Sequence, residues 1–163
     1  MIIQKNGFIK DNLYLLGAPE LPAYFVDADE PAIFDAGAAL FGQTYINRIR
    51  KILKNRSPRY LFLTHSHYDH CGSVAQLKSA FPDLIVAASK KAKENFTRPK
   101  VIEGIKTLND FISANADALN IKVKKPVAFQ PFEVDLTVSE GDSIQLSPDV
   151  TLTIIETPGH TRD

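Results

Sequence analysis

Residues 64–70 read THSHYDH and hold three of the chain's four histidines, His65, His67 and His70, together with Asp69. The fourth, His160, lies in the segment TPGH close to Asp163. Neutral imidazole nitrogens are good zinc ligands, and several on one short segment can reach one ion only if the backbone presents them on one side. In an extended stretch residues i and i+2 face the same way, so the spacing predicts that His65 and His67 share a metal. Asp69 and His70 fall beyond a turn from that pair, which suits a second, neighbouring metal position. His160 follows a run that reads as a buried strand, and Pro158 and Gly159 can turn the chain sharply there, making it the third ligand of the first position. Three protein nitrogens with one open position form the ligand set of a catalytic zinc, because a structural site closes all four positions with protein. Zinc lowers the pKa of water in such a position from about 15.7 to about 7, which yields hydroxide at neutral pH. Surface or core histidines without a metal would not explain why all four fall in two motifs at strand ends.

The surrounding pattern is one of alternating strands and helices. The stretches FIKDNLYLLG, AYFVDAD and PAIFDAG read as short strands joined by turns. QTYINRIRKILKN places Ile46, Ile49, Ile52 and Leu53 at helical spacing with its basic residues outside, and Ser57-Pro58 stops it. RYLFL is a nearly continuous apolar run, the signature of a buried strand, and the histidine cluster sits where it ends. SVAQLKSAF reads as a helix ended by Pro82, and LIVAA as another buried strand. Residues 89–121 are lysine-rich and helical, with SKKAKENF read as solvated surface. From Pro99 onward Val101, Ile102, Ile105, Leu108, Phe111 and Ile112 form a stripe that reads as core or an interface, weakened by about 1 kcal/mol at Gly104. Pro126 and Pro131 break the helical pattern. Period-two strands then follow, with turns at EGD and SPD, and a strand VTLTIIET delivers Pro158, Gly159 and His160. Strand, helix, strand in this order predicts α/β layering.

With THSHYDH after a buried strand, FDAG upstream and TPGHT downstream, the chain resembles the metallo-β-lactamase-fold hydrolases, in particular the glyoxalase-II-like branch with its H-x-H-x-D-H signature. The resemblance runs over nearly the whole chain in motif order. It implies an αββα sandwich with a dinuclear site, in which His65, His67 and His160 hold one metal while Asp69 and His70 hold the other. By the same resemblance Asp35 is the aspartate of the first motif, a buried group that steadies the metal loop. The family pattern continues past PGHT to a bridging aspartate and a further histidine, so the chain is expected to supply the amino-terminal half of one metallo-β-lactamase-like domain, 1–163, with 89–121 as a helical insertion.

The implied activity is that of a metal-dependent hydrolase acting on an ester, thioester, lactone or amide-type substrate. Asp69 would orient the water or accept its proton while also contacting the second metal. His67 speaks against the diiron flavoprotein branch, where glutamate occupies that position. Two alternatives stand beside this reading. One is an incomplete half-domain that self-associates as a homo-oligomer or needs a complementary half; the other is an iron-dependent, sulfur dioxygenase-like oxidoreductase. Zinc is the expected metal, as one or two ions, and histidine and carboxylate ligands equally suit iron or manganese. Cys71 reads as a small buried residue beside Gly72, whereas Tyr68 either faces substrate or packs under the loop.

Composition narrows the partners. Nineteen Lys and Arg balance nineteen Asp and Glu over 163 residues, which leaves no excess positive charge for nucleic acid or an anionic membrane and points to a small-molecule substrate. The 44% hydrophobic content is enough for a real core. One cysteine and the absence of an apolar signal run in MIIQKNGFIKDNLYLLG lead to the expectation of a cytoplasmic protein.

Overall fold

The computed structural model describes residues 7–17, 21–118, 121 and 127–163. The amino-terminal run 1–6, residues 119–120 and the breaker Pro126 lie outside the described residues. Seven strands form one sheet in chain order: β1 (Gly7–Lys10), β2 (Leu13–Leu15), β3 (Tyr24–Val26), β4 (Ala32–Phe34), β5 (Tyr60–Phe62), β6 (Ile85–Ser89) and β7 (Leu136–Val138). The first four pair antiparallel. From β4 to β7 every pairing is parallel, and parallel neighbours need long crossovers. Helices supply them: a 3₁₀ turn (Ala39–Phe41) and α1 (Gly42–Leu53), then α2 (Tyr68–Cys71) and α3 (Val74–Ala80), then α4 (Lys90–Asn95) and α5 (Pro99–Ala114). A separate antiparallel hairpin, β8 (Ser143–Ser147) and β9 (Val150–Thr153), follows.

Side chains alternate across the sheet, and the two faces have different cover. Ile33, Leu61 and Val86 stand side by side on β4, β5 and β6 and pack with Tyr45, Ile49 and Leu77 of the helices. One residue along, Phe34 and Phe62 stack with ring centroids 5.5 Å apart on the opposite face, where Phe62 and Ala87 join Leu146 of the hairpin in a second, smaller core. Cover on both faces is why RYLFL and LIVAA read as unbroken apolar runs.

Two expectations are corrected. The strand expected over VTLTIIET stops at Thr153, because its partner β8 begins at Ser143, opposite Thr153, and Gly141, at φ +81°, turns the chain away. Ile154 makes the run's last backbone–backbone bonds, with Gly141 and Asp142, and Ile155 is 70% exposed. The apolar stripe of α5 is covered only in part. Ile105 and Ile112 are buried while Leu108 and Phe111 face outward, since α5 is packed along one narrow face against α2 and the 3₁₀ turn.

Candidate metal centre

The site gathers at the carboxyl ends of the parallel strands β4 and β5, where crevices of α/β sheets form. Asp35 follows β4 directly and extends the ladder by one bond, its N–H donating to Phe62 O at 2.8 Å. It then adopts φ +61°, a left-handed conformation that aspartate tolerates better than most residues. The turn sends its buried carboxylate across to the loop after β5. There it accepts from the Thr64 N–H at 2.9 Å and from the Thr64 hydroxyl at 3.0 Å, and it meets His70 Nδ1 at 2.8 Å. Behind it Gly37, at φ +49°, leaves no room for a side chain against Tyr45, and Ala36 N–H reaches His70 O. The FDAG motif and the histidine loop are therefore one hydrogen-bonded unit.

These bonds fix the imidazole tautomers. The Thr64 hydroxyl donates to Asp35, so at 2.9 Å it accepts from His65 Nδ1–H, and this leaves the Nε2 lone pair of His65 bare. That Nε2 is buried and has no hydrogen-bond partner among the described residues. Burial, reinforced by the neighbouring His70 and His67, lowers the pKa of His65 and keeps the ring neutral. His70 is balanced differently. Burial pulls its pKa down, yet the bond and charge of Asp35, with Asp69 beside it, hold it above the ordinary histidine value. With Nδ1 donating to Asp35, His70 turns Nε2 toward Asp69 Oδ2, 3.8 Å away.

Expected extended, residues 64–66 instead bend sharply after β5, and only His67 (φ −75°, ψ 150°) is extended, at the start of α2. The bend still brings the rings together. His65 and His67 have centroids 4.5 Å apart, His65 and His70 4.1 Å, and His67 and His160 4.8 Å. His160 arrives at the end of the irregular segment after β9, with Nε2 3.1 Å from His67 Nδ1. Ligand atoms of His65, His67 and His160 all lie within 4.8 Å of one another. Asp69 and His70 stand beside this trio as a neighbouring pair rather than as part of it.

Three imidazoles converging around a buried, unpartnered nitrogen fit a divalent metal, because an orphaned buried acceptor is costly unless something binds it. A cleft of about 580 Å³ opens onto His65 and His160. Phe34, Phe62 and Leu152 line its apolar side, and Lys90 and Arg162 its charged side. Cys71 is fully buried, and burial raises its thiol far above the reactive range; Tyr68 packs partly buried against the main core.

Three polar neighbours of the site escaped the reading of the motifs: Ser66, Asp163 and Asn95. Ser66 N–H donates to Asp163 Oδ2 at 2.9 Å, and Asn95 Nδ2 donates to Ser66 Oγ at 3.1 Å and to Asp163 Oδ2 at 3.3 Å. Asp163 had a signal in its closeness to TPGH. Asn95 had none, since it sits in SKKAKENF, which reads as solvated surface.

The chain belongs to the metallo-beta-lactamase superfamily, whose family model matches residues 22–163. Among solved structures it is similar to the metallo-β-lactamase MIM-1 from Novosphingobium pentaromativorans, with 26% identity and a TM-score of 0.63 over 96% of this chain and 50% of that one. BJP-1, a subclass B3 metallo-β-lactamase of Bradyrhizobium japonicum, shows the same fold, with 24% identity and a TM-score of 0.65 over 97% of this chain and 55% of that one. The flavo-diiron protein FprA2 of Clostridium acetobutylicum is 24% identical, over 86% of this chain and 40% of that protein. A hydroxyacylglutathione hydrolase of Citrobacter koseri is 36% identical over 59 residues, 36% of this chain and 23% of that protein. The α/β fold expected from the motifs is the fold found, and the chain spans about half the length of these solved structures and 40% or less of the two curated relatives.

Proposed function

We propose that the protein is a metal-dependent hydrolase of ester, thioester, lactone or amide-type substrates. The observation that carries this reading is the bare, buried Nε2 of His65 inside the trio with His67 and His160. A divalent ion held by these three residues would supply Lewis acidity and lower the pKa of a coordinated water. The chain's own residues do the rest. Asp35 and Thr64 hold His65 and His70 in the tautomers that present Nε2. Asp69, beside His70 and a quarter exposed, takes the proton released as water attacks, and with His70 it forms the second metal position. The cleft's apolar wall of Phe34, Phe62 and Leu152 receives the acyl part of a small-molecule substrate. Zinc is the assigned metal.

The test is hydrolysis of a panel of thioesters, lactones, esters and amides by the full-length protein loaded with zinc. Turnover on one class, abolished by His65→Ala and His160→Ala and reduced by about 10²–10⁴-fold in Asp69→Asn, is the expected result. Turnover indifferent to all three substitutions contradicts the proposal. The similarity to a flavo-diiron protein, although His67 stands where that branch has glutamate, favours a second reading, an iron-dependent sulfur dioxygenase-like oxidoreductase; the same protein loaded with iron and given a persulfide as the substrate oxidised would then consume oxygen while leaving the panel untouched.

A further inference from the structure

We propose that Asn95 and Asp163 are a positioning pair, a latch that holds the His160 loop against the His65–His67 loop so that the three imidazoles are converged before an ion arrives. The inference rests on the metal-site reading above and adds the residues that assemble it.

His160 reaches the site on an exposed, irregular segment. Regular structure ends at Thr153, and residues 155–160 are all exposed. Among the described residues, the hydrogen bonds joining 157–163 to the rest of the chain are those of Asp163 with Ser66 and Asn95 and the contact of His160 with His67. Within residues 157–163, Asp163 is the side chain whose bonds reach both the His65–His67 loop and α4. Its target is well chosen: Ser66 is the buried residue between the two histidine ligands of the loop, and its peptide N–H would otherwise be left without a partner.

Asn95 gives the latch its anchor. It is the last residue of α4, a short helix capped by the Ser89 hydroxyl on Ala92 N–H and seated on β6 and β7 by the buried Ala92. Its amide donates both to the Asp163 carboxylate and to the Ser66 hydroxyl, so one neutral side chain ties both loops to a fixed element. A carboxylate in its place would repel Asp163, and an alanine would leave one side of the pair open. Outer partners of metal ligands typically influence affinity by 10–100-fold when removed.

The test uses full-length protein and two readouts: amide exchange of Ser66 in the metal-free protein, and zinc affinity by chelator competition, with the cobalt(II) spectrum reporting ligand geometry. Wild type should show a protected Ser66 amide. Asn95→Asp should expose it and weaken zinc binding by about 10–100-fold, with Asn95→Ala following in the same direction. Asp163→Asn, whose amide oxygen can still accept from the Ser66 N–H and the Asn95 amide, should retain more zinc affinity and a cobalt spectrum nearer wild type than Asp163→Ala, a difference that a merely destabilised fold would not show. An unprotected Ser66 amide in wild type overturns the latch, and so does unchanged zinc affinity in Asn95→Asp or an Asp163→Asn protein that binds zinc no more tightly than Asp163→Ala. A wild-type chain that protects Ser66 but takes up no metal defeats the hydrolase reading and, with it, the role assigned to the latch, whereas hydrolysis that survives in Asn95→Asp at full affinity defeats the latch alone.

Discussion

Asp35 offers the sharpest test of how the site is held. Replacing it with alanine leaves the Thr64 N–H without its acceptor, at about 1–3 kcal/mol, and removes the bond between a carboxylate and His70, worth about 1.5–3 kcal/mol. The sum, about 2.5–6 kcal/mol, is a large share of the roughly 5–15 kcal/mol that stabilises a domain. Backbone conformation separates two variants that lose the same bonds. At φ +61° alanine bears about 1–2 kcal/mol that glycine does not, offset by about 0.5–1 kcal/mol from glycine's freer unfolded chain. Asp35→Gly should therefore exceed Asp35→Ala in stability by roughly 0.5–1 kcal/mol. Urea unfolding of the metal-free proteins measures both differences, and NMR of His70 provides an independent readout. Without Asp35, burial is opposed only by Asp69, and the His70 pKa should fall from above to below its ordinary value of about 6.5. An Asp35→Ala protein as stable as wild type, or an alanine variant more stable than the glycine one, would refute the reasoning.

Other perturbations follow from the same bonds and packing. Tyr45 buries a hydroxyl with no hydrogen-bond partner among the described residues, so Tyr45→Phe should be neutral or stabilising by up to about 1 kcal/mol in thermal melts. Gly37→Ala places a methyl group against that hydroxyl at a positive φ and should destabilise by about 2–4 kcal/mol, less in a Tyr45→Phe background. Asn109→Leu strands the Ala39 N–H that the Asn109 carbonyl accepts at 2.7 Å and should cost about 1–3 kcal/mol in urea unfolding. In the metal-free protein, NMR should find His65 titrating below about 6.5 and His70 above it. The signs for stability are opposite: the contribution of His70 is complete below about 6.5 and fades as pH rises through its folded value, while His65 destabilises as pH falls from about 6.5 toward its own.

Much of this architecture was legible because it follows from local pattern. The runs RYLFL and LIVAA are covered on both faces, so their apolar continuity marked β5 and β6, and the helical spacing of Ile46, Ile49, Ile52 and Leu53 marked α1. The four histidines could be singled out because their spacing already restricts what the backbone can do with them. What escaped depends on distance through space. Residues 154–157 read as strand because they continue the alternating run VTLTI, but a strand needs a partner, and β8 begins only at Ser143. Phe111 carries the same periodic signal as Ile112, yet α5 meets its neighbours along too narrow a face to cover both. Asn95 lies 29 residues from Ser66 and 68 from Asp163, with no local pattern to show that they meet.

The central claim is that His65, His67 and His160 together hold a metal ion, and metal content tests it most directly. Inductively coupled plasma mass spectrometry on full-length protein, dialysed after purification, should find at least one transition-metal ion per chain, lost in both His65→Gln and His160→Gln while circular dichroism shows each variant folded. A folded wild-type protein that holds no metal, or variants that keep it, would contradict the account.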